Sequence, residues 1–136
     1  MTDITEYVIN AVVARLKSEV TEVSNRVYFA PPQKTIFPYV QFGFTIDALP
    51  IKGLDALNYT ITINTYAQRG TDGALAEATR IGRSIFGALN NYALSLSSGL
   101  VYSCTYDNFS TAFVVEDGRT VNHVSRFKIL TTSEEA

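Results

Sequence analysis

Pro38-Tyr39-Val40-Gln41-Phe42-Gly43-Phe44-Thr45-Ile46 is the stretch that decides the fold. Val40, Phe42, Phe44 and Ile46 fall at every second position, with Tyr39, Gln41, Gly43 and Thr45 between them. A strand turns successive side chains to opposite faces, so this spacing predicts a strand with one buried face. Tyr59, Ile61, Ile63 and Thr65 repeat the period against Thr60, Thr62, Asn64 and Tyr66, and the two segments are expected to pair as a hairpin. Their connection, Asp47 to Ala56, is long for a hairpin and holds Leu49, Ile51 and Leu54. Connections usually run over the surface, so an apolar one either folds back under the sheet or meets a partner.

On the N-terminal side, Ile4, Val8, Ala11, Val12 and Leu16 recur at helical spacing, predicting a helix from about Asp3 to Glu19 with Thr2 or Asp3 as its cap. Thr21 to Asn25 reads as a polar break, and Val27 to Phe29 as a short strand halted by Pro31-Pro32, which remove two donors. On the C-terminal side, Arg69-Gly70-Thr71-Asp72-Gly73 offers a turn and cap ahead of a second helix, about Asp72 to Asn90. Its expected apolar face is Leu75, Ala78, Ile85, Phe86 and Leu89. Ala74, Ala78 and Gly82 form a small-residue strip that allows close backbone approach, read here as packing on the chain's own sheet. Glycine inside a helix costs about 1 kcal/mol relative to alanine, so a close contact at Gly82 is expected to offset it.

Leu100, Tyr102, Cys104 and Tyr106 alternate with Val101, Ser103 and Thr105, and Thr111 to Glu116 follows as a further strand stretch. The Asp117-Gly118 pair marks a tight hairpin turn before a last strand, about Thr120 to Leu130. These elements define an α+β class: two helices packed on one face of a largely antiparallel sheet, in a single domain spanning 1–136. Thr131 to Ala136 reads as a loose tail.

At 136 residues the chain is long enough for one core, burying about two-thirds of the surface its unfolded form exposes. Its 46% hydrophobic and 18% charged residues exclude the disordered class. A net charge of −2, with Lys and Arg scattered along the chain, disfavours autonomous nucleic-acid binding. One cysteine, Cys104, excludes an intrachain disulfide and suits a reducing compartment. The acidic N-terminus does not read as a secretory signal, and no apolar run approaches the roughly 18 residues of a membrane span.

Chemistry is thinly supplied. His123 is the single imidazole, which excludes a histidine-rich metal site, and it shares a strand face with Ser125 and Phe127. It reads as a structural or interface residue. Cys104, between Tyr102 and Tyr106 in the alternation, reads as a small core residue. Gly82-Arg83-Ser84 lies inside a helix and lacks the strand-to-helix glycine loop that cradles phosphate. Asp47, Asp55 and Asp72 have no calcium-loop spacing and read as turn and capping residues. No catalytic residue, metal site or cofactor is expected. The eight tyrosines and eight phenylalanines read as core and protein-interface residues, because no basic stripe accompanies them.

The order of motifs is helix, Arg26-Val27-Tyr28 strand, Pro-containing loop, Phe37-Pro38-Tyr39-Val40 strand, long loop, strand ending in Thr65-Tyr66-Ala67, long helix, and a late His123-x-x-Arg126-Phe127-x-Ile129 strand. This order resembles the tail-completion, or tail-terminator, family of long-tailed phages and related gene transfer agents, over about residues 4–131. The resemblance implies a structural virion protein assembled in the host cytoplasm and located at the head-proximal end of the tail. It implies a homo-oligomer, a hexameric ring that caps the tail tube, stops its growth and presents the surface for the head-side connector protein. DNA would only pass through the lumen, and no membrane is involved. On that basis Leu49, Ile51 and Leu54 in the long loop, with Asp117 and Gly118 in the last hairpin, become candidates for subunit or tube contacts. Two other readings stay open: a neck or head-completion protein, and a small cytoplasmic α+β ligand-binding domain or enzyme.

Overall fold

The computed structural model describes residues 5–32, 35–49, 56–68, 71–94, 96, 100–115 and 119–132. Helix α1 spans Thr5–Glu19, a 3-10 turn Thr21–Val23, strand β1 Val27–Tyr28, β2 Tyr39–Leu49, β3 Ala56–Gln68, α2 Thr71–Leu89, β4 Leu100–Val114 and β5 Thr120–Thr132. The sheet order is β1-β2-β3-β5-β4. β1 lies parallel to β2 through Val27 and Tyr28, and every other pair is antiparallel.

The expected hairpin forms, with Val40 opposite Thr65, Phe42 opposite Ile63 and Phe44 opposite Ile61. Pairing runs to Leu49 opposite Ala56, so Asp47, Ala48, Leu49 and Ala56 belong to the ladder and not to the loop. The connection shortens to residues 50–55, which lie outside the described residues. β5 inserts between β3 and β4, pairing Ile61 with Phe127 and Tyr59 with Ile129. It continues through Thr132, so Thr131, expected in a loose tail, is instead buried, its hydroxyl donating to the Leu57 carbonyl at 3.2 Å. Residues 133–136 lie outside the described set. β4 is one strand and not two, with irregular register between Val101 and Ser103 and between Tyr106 and Ser110.

Both helices cover one face. The odd-numbered β3 residues Leu57 to Ala67 are all buried and the even-numbered ones are half-buried, because the helices take one face only. The core joins Val8, Val12 and Leu16 of α1, Ile81, Ile85 and Leu89 of α2, and Phe42, Tyr59, Ile61, Ile63, Phe127 and Ile129 of the sheet. Tyr59, fully buried, keeps its hydroxyl satisfied at 3.0 Å from Thr5 Oγ1. Val23 is fully buried, so the stretch expected as a polar break contributes to the core. Ser24 and Asn25 then turn the chain in left-handed conformation, at φ 49° and 67°. Asparagine tolerates that region better than most residues.

The face of α2 departs from expectation. Leu75 and Phe86 are exposed, while Ala74, Glu77, Ala78, Ile81, Gly82, Ile85, Ala88 and Leu89 are buried. The small-residue strip lies on the chain's own sheet, where Ala74 and Ala78 cluster with Ala67 of β3 and Val121 of β5. At the far end, Asn91 closes the helix at φ 59°. Its N–H donates to the Cys104 carbonyl at 2.7 Å, and Asn90 Oδ1 accepts from the Tyr106 N–H at 3.0 Å, which fastens α2 to β4. Arg15 ties α1 to the same end: its Nε donates to the Ala88 carbonyl at 2.9 Å, its guanidinium lies 3.5 Å from the Tyr92 ring centroid, and its Nη1 pairs with Glu19.

Candidate functional site

Three features of the surface are candidates for function: a cleft beside α2, the two hairpin ends, and exposed apolar side chains. The cleft, about 280 Å³, is lined by Thr79, Gly82, Arg83, Phe86, Tyr106, Ser110, His123 and Ser125. It exists because Gly82 brings α2 down onto the His123 ring. A Cβ at Gly82 would stand 2.4 Å from His123 Cε1 and 2.6 Å from Nδ1, well inside van der Waals contact. The small-residue strip is therefore a packing device, and His123 is the residue it admits.

His123 Nε2 lies 3.2 Å from Ser110 Oγ. Nucleophilic catalysis by such a pair needs a third group that orients the ring, usually a carboxylate on the other nitrogen. Nδ1 has no hydrogen-bond partner among the described residues. Burial pushes the His123 pKa down, so the neutral ring is favoured. Ser125 Oγ and, on the neighbouring strand, Thr65 Oγ1 are also buried without a partner. Thr65 sits directly opposite His123 in the ladder. These polar groups lie between helix and sheet and lack the geometry of a charge-assisted triad. Cys104 is 2% exposed and burial raises its pKa to about 12, which keeps it a thiol.

Of the sequence-predicted contact residues only Leu49 lies among the described residues. Leu49 is the last residue of β2; Ile51 and Leu54 lie outside the described residues, in the connection to β3, and Asp117 and Gly118 lie outside them in the connection from β4 to β5. These connections leave opposite ends of the sheet. Leu49 and Ala56 are level with Thr132 and Leu100, whereas Gln68 pairs with Thr120 and Val114 with Val121 at the other end. At about 3.4 Å per residue, the 13 residues of β3 separate the two ends by roughly 40 Å.

Exposed apolar residues that sequence reasoning did not single out flank the sheet. Phe29 is 61% and Ile36 is 69% exposed beside β2, and Phe29 packs on Phe42 and Phe44 at centroid distances of 5.8 and 6.0 Å. Phe113 and Val114, each 49% exposed, stand at the end of β4. Phe86, exposed on α2, edges onto Tyr106, which in turn edges onto buried Phe127. The uncovered face of the sheet is polar, with Thr60, Thr62, Asn64 and Lys128, and carries a stacked Tyr39–Tyr66 pair at 5.1 Å. Partial burial of both rings raises their pKa values. Among the described residues no group of three or more His, Cys, Asp or Glu side chains is placed to hold a metal. No helix there is long and apolar enough to cross a membrane.

The two helices on one face of an antiparallel sheet agree with what the comparisons give. The profile of the tail completion protein gp17 family matches residues 10–132. The chain belongs to that family, which is one of structural virion components and not of enzymes. The fold matches a chain of the virion of a native gene transfer agent particle with a TM-score of 0.83 and 18% identity, covering 97% of this chain and 99% of that one. Comparison with curated protein sequences gives no match. The chain is accordingly a tail-completion protein of a virion.

Proposed function

We propose that the chain is the subunit of a homo-oligomeric ring, hexameric by the family resemblance, that sits on the head-proximal end of the tail tube and stops its growth. In this reading the ring meets the tail tube protein on one side and the head-side connector on the other, and DNA passes through its lumen without a dedicated site. The family match over residues 10–132 carries the reading. The sheet supports it: its two connections leave opposite ends roughly 40 Å apart, by strand rise, as a subunit bridging two different partners requires. Leu49, Ile51 and Leu54 serve one end, and Asp117 with Gly118 the other. An apolar connection supplies a dehydrated contact, and the net charge of −2 helps to keep free subunits soluble.

The test is native mass over a concentration series, alone and with the tail tube protein of the same particle. A closed species of subunit multiplicity near six, alone or on the tube protein, is expected; a monomer indifferent to the tube protein refutes the reading. Replacing Leu49, Ile51 and Leu54 together by Ser is expected to abolish tube capture while the thermal melt stays cooperative. Unchanged capture would remove these residues from the contact.

A further inference from the structure

The sheet has two open edges whose backbones complement each other. β1 pairs with β2 only at Val40 and Gln41, a parallel ladder that also takes up the Phe42 N–H, so among the described residues no strand covers the outer side of β2 beyond that group. On the opposite side, β4 pairs with β5 alone among the described residues. The direction of the free groups follows from two backbone hydrogen bonds. The Val40 N–H donates outward to the Arg26 carbonyl at 2.9 Å, and alternation turns the backbone groups of Phe42, Phe44 and Ile46 the same way. The Val115 N–H donates to the Thr120 carbonyl at 2.8 Å, so Val114, Ala112 and Ser110 turn theirs away from β5.

Only part of the β4 edge is available. Asn90 and Asn91 occupy it at Tyr106 and Cys104. Beyond the irregularity after Tyr106, the residues from Ser110 to Val114 are all exposed. Neither Ser110-Thr111-Ala112-Phe113-Val114 nor Phe42-Gly43-Phe44-Thr45-Ile46 contains a charge or a proline, the devices that keep an edge from pairing.

We propose that the Ser110–Val114 edge of β4 adds to the Phe42–Ile46 edge of β2 in a second copy of this chain, joining the sheets edge to edge around the ring. This rests on the ring reading above. The second copy is the fitting occupant because β2 and β5 run one way and β3 and β4 the other. Placed beside β2 of a copy rotated about an axis inclined to the strands, β4 is antiparallel to it, which continues the alternation within each sheet. Each copy offers one edge of each kind, so the contact is head-to-tail, the kind that makes a ring where its rotation closes. The two segments stand at different heights, Phe113 being level with Tyr39 through Asn122 and Tyr66. Pairing them staggers neighbours along the strand, as strands tilted in a closed barrel do.

Ala112→Pro and Ile46→Pro each remove an outward N–H without touching the internal ladder. Native mass spectrometry, with the tube protein where wild type needs it, reads the result. With wild type forming rings, each variant alone should be monomeric, and their equimolar mixture should give a heterodimer and no ring, because one intact pair of edges remains. Rings from either variant, or no heterodimer from folded variants, overturn edge pairing and leave the ring reading standing. Absence of rings from wild type overturns both. Where a proline variant loses its melting transition, Ala112→Lys and Ile46→Lys take its place. Amide exchange at Ile46 is expected to be slower by about tenfold or more in the wild-type ring than in Ala112→Pro, and exchange at Ala112 slower than in Ile46→Pro; equal rates in ring and monomer overturn the proposal.

Discussion

Gly82→Ala tests the packing that places α2 on the sheet. In isolation the change should stabilise the helix by about 1 kcal/mol. In this chain the new methyl would meet the His123 ring at 2.4 to 2.8 Å. The ring must then move by about 1 Å, or the helix must rise, and overpacking of this kind costs about 1–3 kcal/mol. A swinging ring also gives up its contact with Ser110 at 3.2 Å, worth about 1 kcal/mol. The balance is a net loss of about 2 kcal/mol, or about 8 °C in melting temperature at this chain length. His123→Ser removes the obstacle, so in that background Gly82→Ala should gain about 1 kcal/mol, a coupling of about 3 kcal/mol between the two positions. Thermal and urea denaturation of the four proteins in the cycle measure it. Stabilisation by Gly82→Ala with His123 present, or the same sign in both backgrounds, would refute the reasoning.

Two further predictions follow from burial. His123 has a pKa lowered from 6.5 by desolvation, so between that value and its lower folded value the unfolded chain binds more protons than the folded one. Stability is therefore retained above about pH 6.5 and lost as pH falls through the folded pKa; melting temperature between pH 7 and 5 should decline less steeply in His123→Gln, and equal slopes would exclude the histidine as the cause. Cys104, 2% exposed with a pKa near 12, should resist iodoacetamide in the native protein and react promptly in denaturant, with alkylation followed by mass; rapid native labelling would show that the α2 end opens readily.

Much of the local structure was legible. The alternation in Val40 to Ile46 and Tyr59 to Thr65 forecast the hairpin and its buried face, as period two leaves little choice once one face is covered. The face faded toward the edge, however, and Ile46 is 41% exposed because β1 stops at Tyr28. Helix α2 is legible nearly to the residue, and Ala78, Ile85 and Leu89 of its expected face are buried, but Leu75 and Phe86 are not. Large apolar side chains at Leu75 and Phe86 suggested the core side, but the sheet lies so close that Ala74, Ala78 and Gly82 are what fit. The loop carrying Leu49 was drawn too long because hairpin ladders end where pairing ends, and that is decided by β5 on the other side of β3 as well as by local turn residues.

By itself the sequence determined which segments are strands and helices, the antiparallel hairpins at both halves of the chain, the lack of a disulfide, and the motif order that resembles tail-completion proteins. Those properties are written in local period, turn chemistry and composition, which act over a few residues. The tertiary structure alone decided that β5 enters between β3 and β4, that β1 joins in parallel, and that His123 lies beneath Gly82. Each of these is a contact between residues far apart in the chain, and alternation tells only which side chains share a face, not which strand becomes the neighbour.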